Sequence, residues 1–225
     1  MPRRPLAAQP SPGPIQAPKL PAELAEGPAR LEPGIDLTGV HVTGDVEVEG
    51  LEDAELQGCL LEDVRLTAVS AARLKLTDVV LRRCELSGAD LDEARWRRVR
   101  VEDCRAEALD AGRLRGDHVV VSGTKLRDAG LRMTHWERAS FSDTDLRGAE
   151  LHEAQLLGVA FDGCDLTGAV LTRARLTRSR FDRCTLHDLL GATALAGATI
   201  PEDQVYPVAL ALLAQLDISI SDEHG

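Results

Sequence analysis

The sequence predicts an all-β solenoid, one short extended segment repeated along most of the chain. Three observations predict it. From Leu51 to Leu186 a large apolar position recurs every fifth residue without a slip; there are 28 such centres, and 24 hold Leu, Phe, Val or Trp. Two places before each centre sits a second, usually smaller inward residue, as at Ala54, Cys59, Val64, Cys84 and Ala89. The other three places are mostly Asp, Glu, Arg, Ser, Thr and Gly. A period of five fits neither the helix nor the strand repeat, and an internal repeat fixes the architecture before any other signal.

In chain order, the first element is a leader. Nine of the eleven prolines lie at or before Pro33, so residues 1–34 are expected to form a disordered Pro-rich segment. It opens on basic residues, but prolines interrupt every apolar core that a secretory signal would need. No apolar run approaches the ~20 residues of a membrane helix. The expected compartment is the cytoplasm, with no membrane contact.

The second element is the repeat, residues 35–200. Five residues per side place each centre and the residue two before it on one inward side of a short extended segment. Glycines at 58, 88, 123, 148, 158, 163 and 168 fall two after a centre, where a tight corner exploits their permissive φ. Both ends show a four-residue step. Val42 is followed by Val46, and Leu186 by Leu190, Leu195 and Ile200. These read as an extra turn of coil with one residue removed; a hairpin across "VHVTGDVEVEG" is the alternative at the first end.

The third element, residues 201–225, departs from the period. In "TIPEDQVYPVALALLAQL", Thr199 and Glu202 have capping-box spacing and Pro201 falls in the first turn. A short helix follows, with a potential break at Pro207. It is apolar on nearly all sides, through Val205, Tyr206, Val208, Leu210, Leu212, Leu213 and Leu216. One face can seal the last coil; the other is either a bare surface or a contact with a second copy in a two-fold homodimer. "DISIS" alternates like a terminal strand.

The segments "GADLDEA", "DTDLRGAELHEAQL" and "GCDLTGAVL" resemble the pentapeptide-repeat unit A-(D/N)-L-x-x. The resemblance runs from about Leu37 to Ile200. It implies a right-handed quadrilateral β-helix of about eight coils, four pentapeptides to a coil, with a short C-terminal α-helical cap. Residues one coil apart then stack, and several match: Phe141, Phe161 and Phe181, Val99 and Val119, Cys84 and Cys104. Trp96 and Trp136 flank Gly116 in one column, which gives the indoles room. Centres Ala106, Ala111 and Gly116 are weak, but Leu109 and Leu114 at the second position restore the volume. A frame centred on those leucines would turn Glu107 and Asp117 inward, at several kcal/mol per unpaired carboxylate.

Chemistry is not foreshadowed. All five cysteines occupy the inward position and none has metal-ligand spacing; they read as buried thiols. The six histidines are scattered and read as solvated. No phosphate loop, zincin or nucleophile-elbow motif occurs. The expectation is a non-enzymatic protein without catalytic residues, metal site or cofactor.

Charge is informative. The chain carries a formal net charge of −11, which argues against direct nucleic-acid binding. Sorted by coil side, the face centred on Leu51 and Leu91 holds Glu52, Asp53, Asp90, Asp92, Glu93, Asp110, Glu150 and Glu153 against four arginines. The next face holds Lys75, Arg95, Arg97, Arg98, Arg115, Arg138, Arg175 and Arg178 against four acids. The acidic face is the candidate partner surface. "GATIPEDQV" before an apolar helix is similar to the dimerising end of the quinolone-resistance subgroup of the family. That resemblance implies an acidic, dimeric, DNA-sized rod that binds DNA gyrase or topoisomerase IV by partial DNA mimicry. The alternative is a protein-interaction scaffold with an unrelated partner.

Overall fold

The structure, a computed structural model, describes residues 13–219. Its strands are β1 (Ala25–Glu26), β2 (Arg30–Leu31), β3 (Asp36–Thr38), β4 (Val40–Thr43), β5 (Glu47–Val48), β6 (Glu55–Gln57), β7 (Leu60–Glu62), β8 (Lys75–Arg82), β9 (Arg95–Glu102), β10 (Arg115–Ser122), β11 (His135–Ser142), β12 (Gln155–Leu157), β13 (Ala160–Asp162) and β14 (Arg180–Asp182). Two 3-10 turns, Ala192–Leu195 and Glu202–Gln204, and helix α1 (Val205–Gln215) follow. All strand pairs are parallel, and Lys75, Arg95, Arg115 and His135 lie in one register column, one from each of four successive coils. Centres of the regular coils donate their amides to the coil after them, as Leu146 N does to Asp165 O at 2.8 Å and Leu166 N to Thr185 O at 2.9 Å. The fold is a parallel β-solenoid of about eight coils, as the resemblance of its five-residue repeat implies.

The corners explain why the period is five. The position two after a centre has positive φ at all 28 sites from Asp53 to Asp188, with glycine at seven and other residues at 21. A left-handed residue turns the chain through each corner, and the next centre again points inward. Non-glycine residues there adopt φ between 48° and 60°, at roughly 1–2 kcal/mol each. The stacked core offsets that cost.

The core is filled with side chains. Phe141, Phe161 and Phe181 stack with ring centroids 5.2 and 4.7 Å apart and planes within 11°. Trp96 and Trp136 meet edge to face at 6.4 Å. A Cβ added at Gly116 would lie 2.5 Å from Trp136, so the missing side chain between the indoles is a packing requirement. Ala106, Ala111, Leu109 and Leu114 are all buried while Glu107 is exposed, which confirms the frame. All five cysteines are buried free thiols, and burial raises the Cys59 pKa. Two interior voids measure only about 20 and 30 Å³.

The N-terminal end tapers. The offset between paired residues, constant along the regular coils, shortens at Asp36↔Glu55 and His41↔Leu60, shortens again at Arg30↔Glu47 and is smallest at Ala25↔Val40. The four-residue step at Val42–Val46 is one removed residue in a parallel coil, and the hairpin alternative is not what forms. Fully buried Leu31 fills the narrowing core. Residues 13–34 therefore depart from the expected disordered leader. Prolines lack donors but suit an extended strap, and this strap lies on the solenoid. Residues 1–12 of that expected leader lie outside the described residues.

The C-terminal end differs from expectation in detail. Leu189, not Leu190, points inward; Leu190 is 59% exposed. The full-coil register holds through Val170↔Leu190 and shortens only at Arg180↔Thr199, so the residue is lost later than the leucine spacing suggests. Thr199 serves the last β rung instead of a capping box, and the 3-10 turn before α1 has no side-chain cap. Pro207 does not break α1, because it falls in the first turn, where its missing N–H has no partner to lose. Asp217–Ser219 form no strand; the rest of "DISIS" lies outside the described residues.

Candidate partner-binding surfaces

The acidic face is largely neutralised from within. Asp53 accepts from Arg73 Nε and Nη2 at 2.7 and 2.6 Å, and this guanidinium holds its pKa below the usual carboxylate range. Asp92 and Glu93 share Arg113. Glu150 pairs with Arg132 at 3.1 Å and Glu153 with Arg173 at 3.2 Å. All four arginines of the face are thus engaged by its acids, mostly from a neighbouring coil. Such exposed pairs add little stability, but they cancel field. Asp90 and Asp110 instead accept from the amides of Asp92 and Gly112 at 2.9 and 3.0 Å. Glu52 is held below its usual pKa, first by the Ser70 hydroxyl. The densest acidic strip is Asp90, Asp92, Glu93 and Asp110, on two adjacent coils around the single cation Arg113.

The basic face is matched only in part: Lys75 pairs with Glu55, Arg98 with Asp78, and Arg138 with Asp117 and Glu137. Arg95, Arg97, Arg115 and Arg175 make no ion pair among the described residues. The register stacks Arg95 on Arg115 between Lys75 and His135. With Arg97, Trp96, Gly116 and the acids Glu55, Asp117 and Glu137, these residues line an open groove of about 490 Å³. Face sorting counted Arg98 among the outward cations, whereas it is buried at the corner against Asp78, and sorting could not show which cations would be matched.

The corner between the basic face and the next holds three of the molecule's buried polar residues. Asp78, Arg98 and His118 are 7, 9 and 8% exposed and occupy one position in successive coils. Arg98 donates to both Asp78 oxygens, at 2.5 and 2.6 Å. The strap lies over this corner: Lys19 N donates to Asp78 Oδ1 at 2.9 Å and Gln16 N to His118 Nδ1 at 3.1 Å. His118 is therefore not the solvated histidine expected. The available signal was the one-per-coil column Gly58, Asp78, Arg98, His118 beside a leader too rich in proline to form helix or sheet.

Helix α1 seals the last coil with few residues. In the pattern of the earlier coils the Leu186 amide would donate to a backbone carbonyl of the next coil, but at that level the chain turns into the helix. Gln204 Oε1 accepts the Leu186 N–H instead, at 2.8 Å, and Gln204 is 8% exposed. Of the apolar helix residues named from sequence, Val208 is buried, and Leu212 and Leu213 are half-buried. Val205, Tyr206, Leu210 and Leu216 are exposed, Tyr206 at 69%. Gln204 was not foreseen, because a polar residue breaks no apolar pattern.

Parallel strands stacked around a side-chain-filled core define a repeat solenoid. Among the described residues no group of three His, Cys, Asp or Glu could hold a metal ion, and no helix is long and apolar enough to cross a membrane. A family model for pentapeptide repeats matches in eight copies, over residues 59–95, 124–159 and 153–188. Those stretches are pentapeptide repeats. Among solved structures the chain is similar to a trypsin-treated form of QnrB1, a plasmid-mediated fluoroquinolone resistance protein, at 16% identity and a TM-score of 0.40, over 85% of this chain and 99% of that one. It is also similar to HetL, involved in heterocyst differentiation regulation in the cyanobacterium Nostoc sp. strain PCC 7120, at 21% identity and a TM-score of 0.35, over 74% of this chain and 85% of that one. No curated protein matches in sequence.

Proposed function

We propose that this protein is a non-enzymatic binding rod whose partner is DNA gyrase or a related type II topoisomerase, engaged by partial DNA mimicry. The observation that carries the reading is the strip of Asp90, Asp92, Glu93 and Asp110, four carboxylates against one arginine on a rigid rod. The resemblance of "GATIPEDQV" and its apolar helix to the quinolone-resistance subgroup supplies the partner class. Mimicry is partial because most other carboxylates of the face are paired. The exposed apolar residues of α1 join two copies in this reading, giving a longer rod.

Supercoiling by purified gyrase, with and without a quinolone, tests the reading. Micromolar protein is expected to inhibit the enzyme or protect it from the drug, and Asp90→Lys with Asp110→Lys to abolish the effect. No effect of the unaltered protein, or an equal effect of the variant, overturns it. One observation favours a second reading: the groove lined by unpaired Arg95, Arg97 and Arg115 suits a scaffold that binds an acidic protein. Reversal of those arginines then removes partner binding while the acidic variant keeps it.

A further inference from the structure

We infer that the corner formed by Gly58, Asp78, Arg98 and His118 is a docking track for a proline-rich extended segment, occupied by the chain's own residues 14–21, and that protonation of His118 releases the outer half of that segment. The inference is independent of the gyrase reading.

The track and its occupant match in three ways. The first is rise. Gln16 contacts the coil of His118 and Lys19 that of Asp78. Three residues thus span two coils, or ~9.6 Å at the strand spacing of ~4.8 Å; a polyproline II segment of three residues covers ~9.3 Å. The second is phase. Polyproline II has three residues per turn, so the amides of Gln16 and Lys19 face the same side, and both find acceptors. Pro14, Pro18 and Pro21 have no amide to satisfy. The third is contact. Pro21 continues the line over Gly58 and Gly39, where an added Cβ would meet its ring at 3.2 and 3.5 Å.

The two acceptors respond differently to acid. His118 Nδ1 accepts only while unprotonated, so a proton on it removes the Gln16 contact. The groups facing it are Asp117 on its own strand, Arg97 and Arg98 on β9, and Arg138 on β11. Burial first, then the three arginines, lower the His118 pKa against the opposing pull of Asp117. Docking therefore binds fewer protons than release. It is at full strength above the ordinary imidazole value of about 6.5 and weakens as pH falls below it. Asp78 is held below the usual carboxylate range, chiefly by Arg98. The Lys19 contact therefore outlasts the Gln16 contact as pH falls.

Amide exchange of the full chain by NMR, corrected for intrinsic rates, reads this directly. Between about pH 7.5 and 5.5 the protection of Gln16 is expected to fall by up to about tenfold, while that of Lys19 holds. His118→Gln, which keeps an acceptor that cannot titrate, is expected to make Gln16 protection independent of pH. Gln16→Pro removes the donor without touching the solenoid, and the His118 titration is expected to move up toward the ordinary range. Gln16 protection that does not change with pH overturns the inference, as does an equal fall in His118→Gln. An unmoved His118 titration in Gln16→Pro also overturns it. Protection that rises with protein concentration overturns docking within one chain and assigns the segment to a second copy.

Discussion

The two ends of the rod meet the same physical problem with different means. A stacked coil leaves its last backbone groups and core residues uncovered. At the N-terminal end the coils shorten stepwise, Leu31 fills the narrowing core and the strap continues over the outside. Among the described residues before Leu51, no large apolar side chain is exposed. At the C-terminal end the coil stops at nearly full width, and a short helix covers it. There Leu190, Val205, Tyr206, Leu210, Leu216 and Ile218 all remain exposed. A taper consumes its own apolar surface, whereas a helix laid on a flat end has a second side. The end that closes least completely is the one suited to receive another molecule.

Leu31→Ala is the largest test of this contrast. It removes a fully buried side chain from the apex and is expected to cost about 2–5 kcal/mol. Because coils contact only their neighbours, exchange protection is expected to fall across residues 25–62 and to persist from Lys75 onward. Uniform loss along the rod would show that the taper and the regular coils form one cooperative unit. At the other end, Gln204→Ala leaves the buried Leu186 amide without an acceptor, at about 1–3 kcal/mol. A lowered denaturation midpoint and faster exchange at Leu186 are expected, with the N-terminal half unchanged. Unchanged Leu186 exchange would mean that the helix seals the coil without this bond.

What the sequence made legible follows from what repeats. The coils, their frame, the Phe141–Phe161–Phe181 stack and the gap at Gly116 were readable because each is a local rule enforced 28 times. Non-repeating contacts were not. The strap over Asp78 and His118 joins residues 59 and 102 positions apart, and proline content alone reports only that helix and sheet are disfavoured. Leu190 was misplaced because Leu189 and Leu190 are equally apolar and only the register separates them. The acidic face was located by counting, but counting ignores pairing: Arg73, Arg113, Arg132 and Arg173 each neutralise an acid of that face. The presented charge is set by which side chains meet on adjacent coils, a relation visible in sequence only after the coil length is known.

The smallest effect on stability carries the sharpest consequence for assembly. Tyr206→Glu with Leu210→Glu alters two exposed residues and leaves Val208 and Gln204 in place, so the isolated chain should change by no more than about 0.5 kcal/mol. In a two-fold pair the same substitutions would set four carboxylates into an apolar contact, each costing more than it would in water. Sedimentation equilibrium is therefore expected to show dimers of the unaltered protein and monomers of the variant, with similar unfolding curves once dimer linkage is removed by dilution. A monomeric unaltered protein at micromolar concentration would reduce the helix to a cap. The asymmetry between the ends would then mark a site for a different partner, whose binding the same two substitutions should abolish.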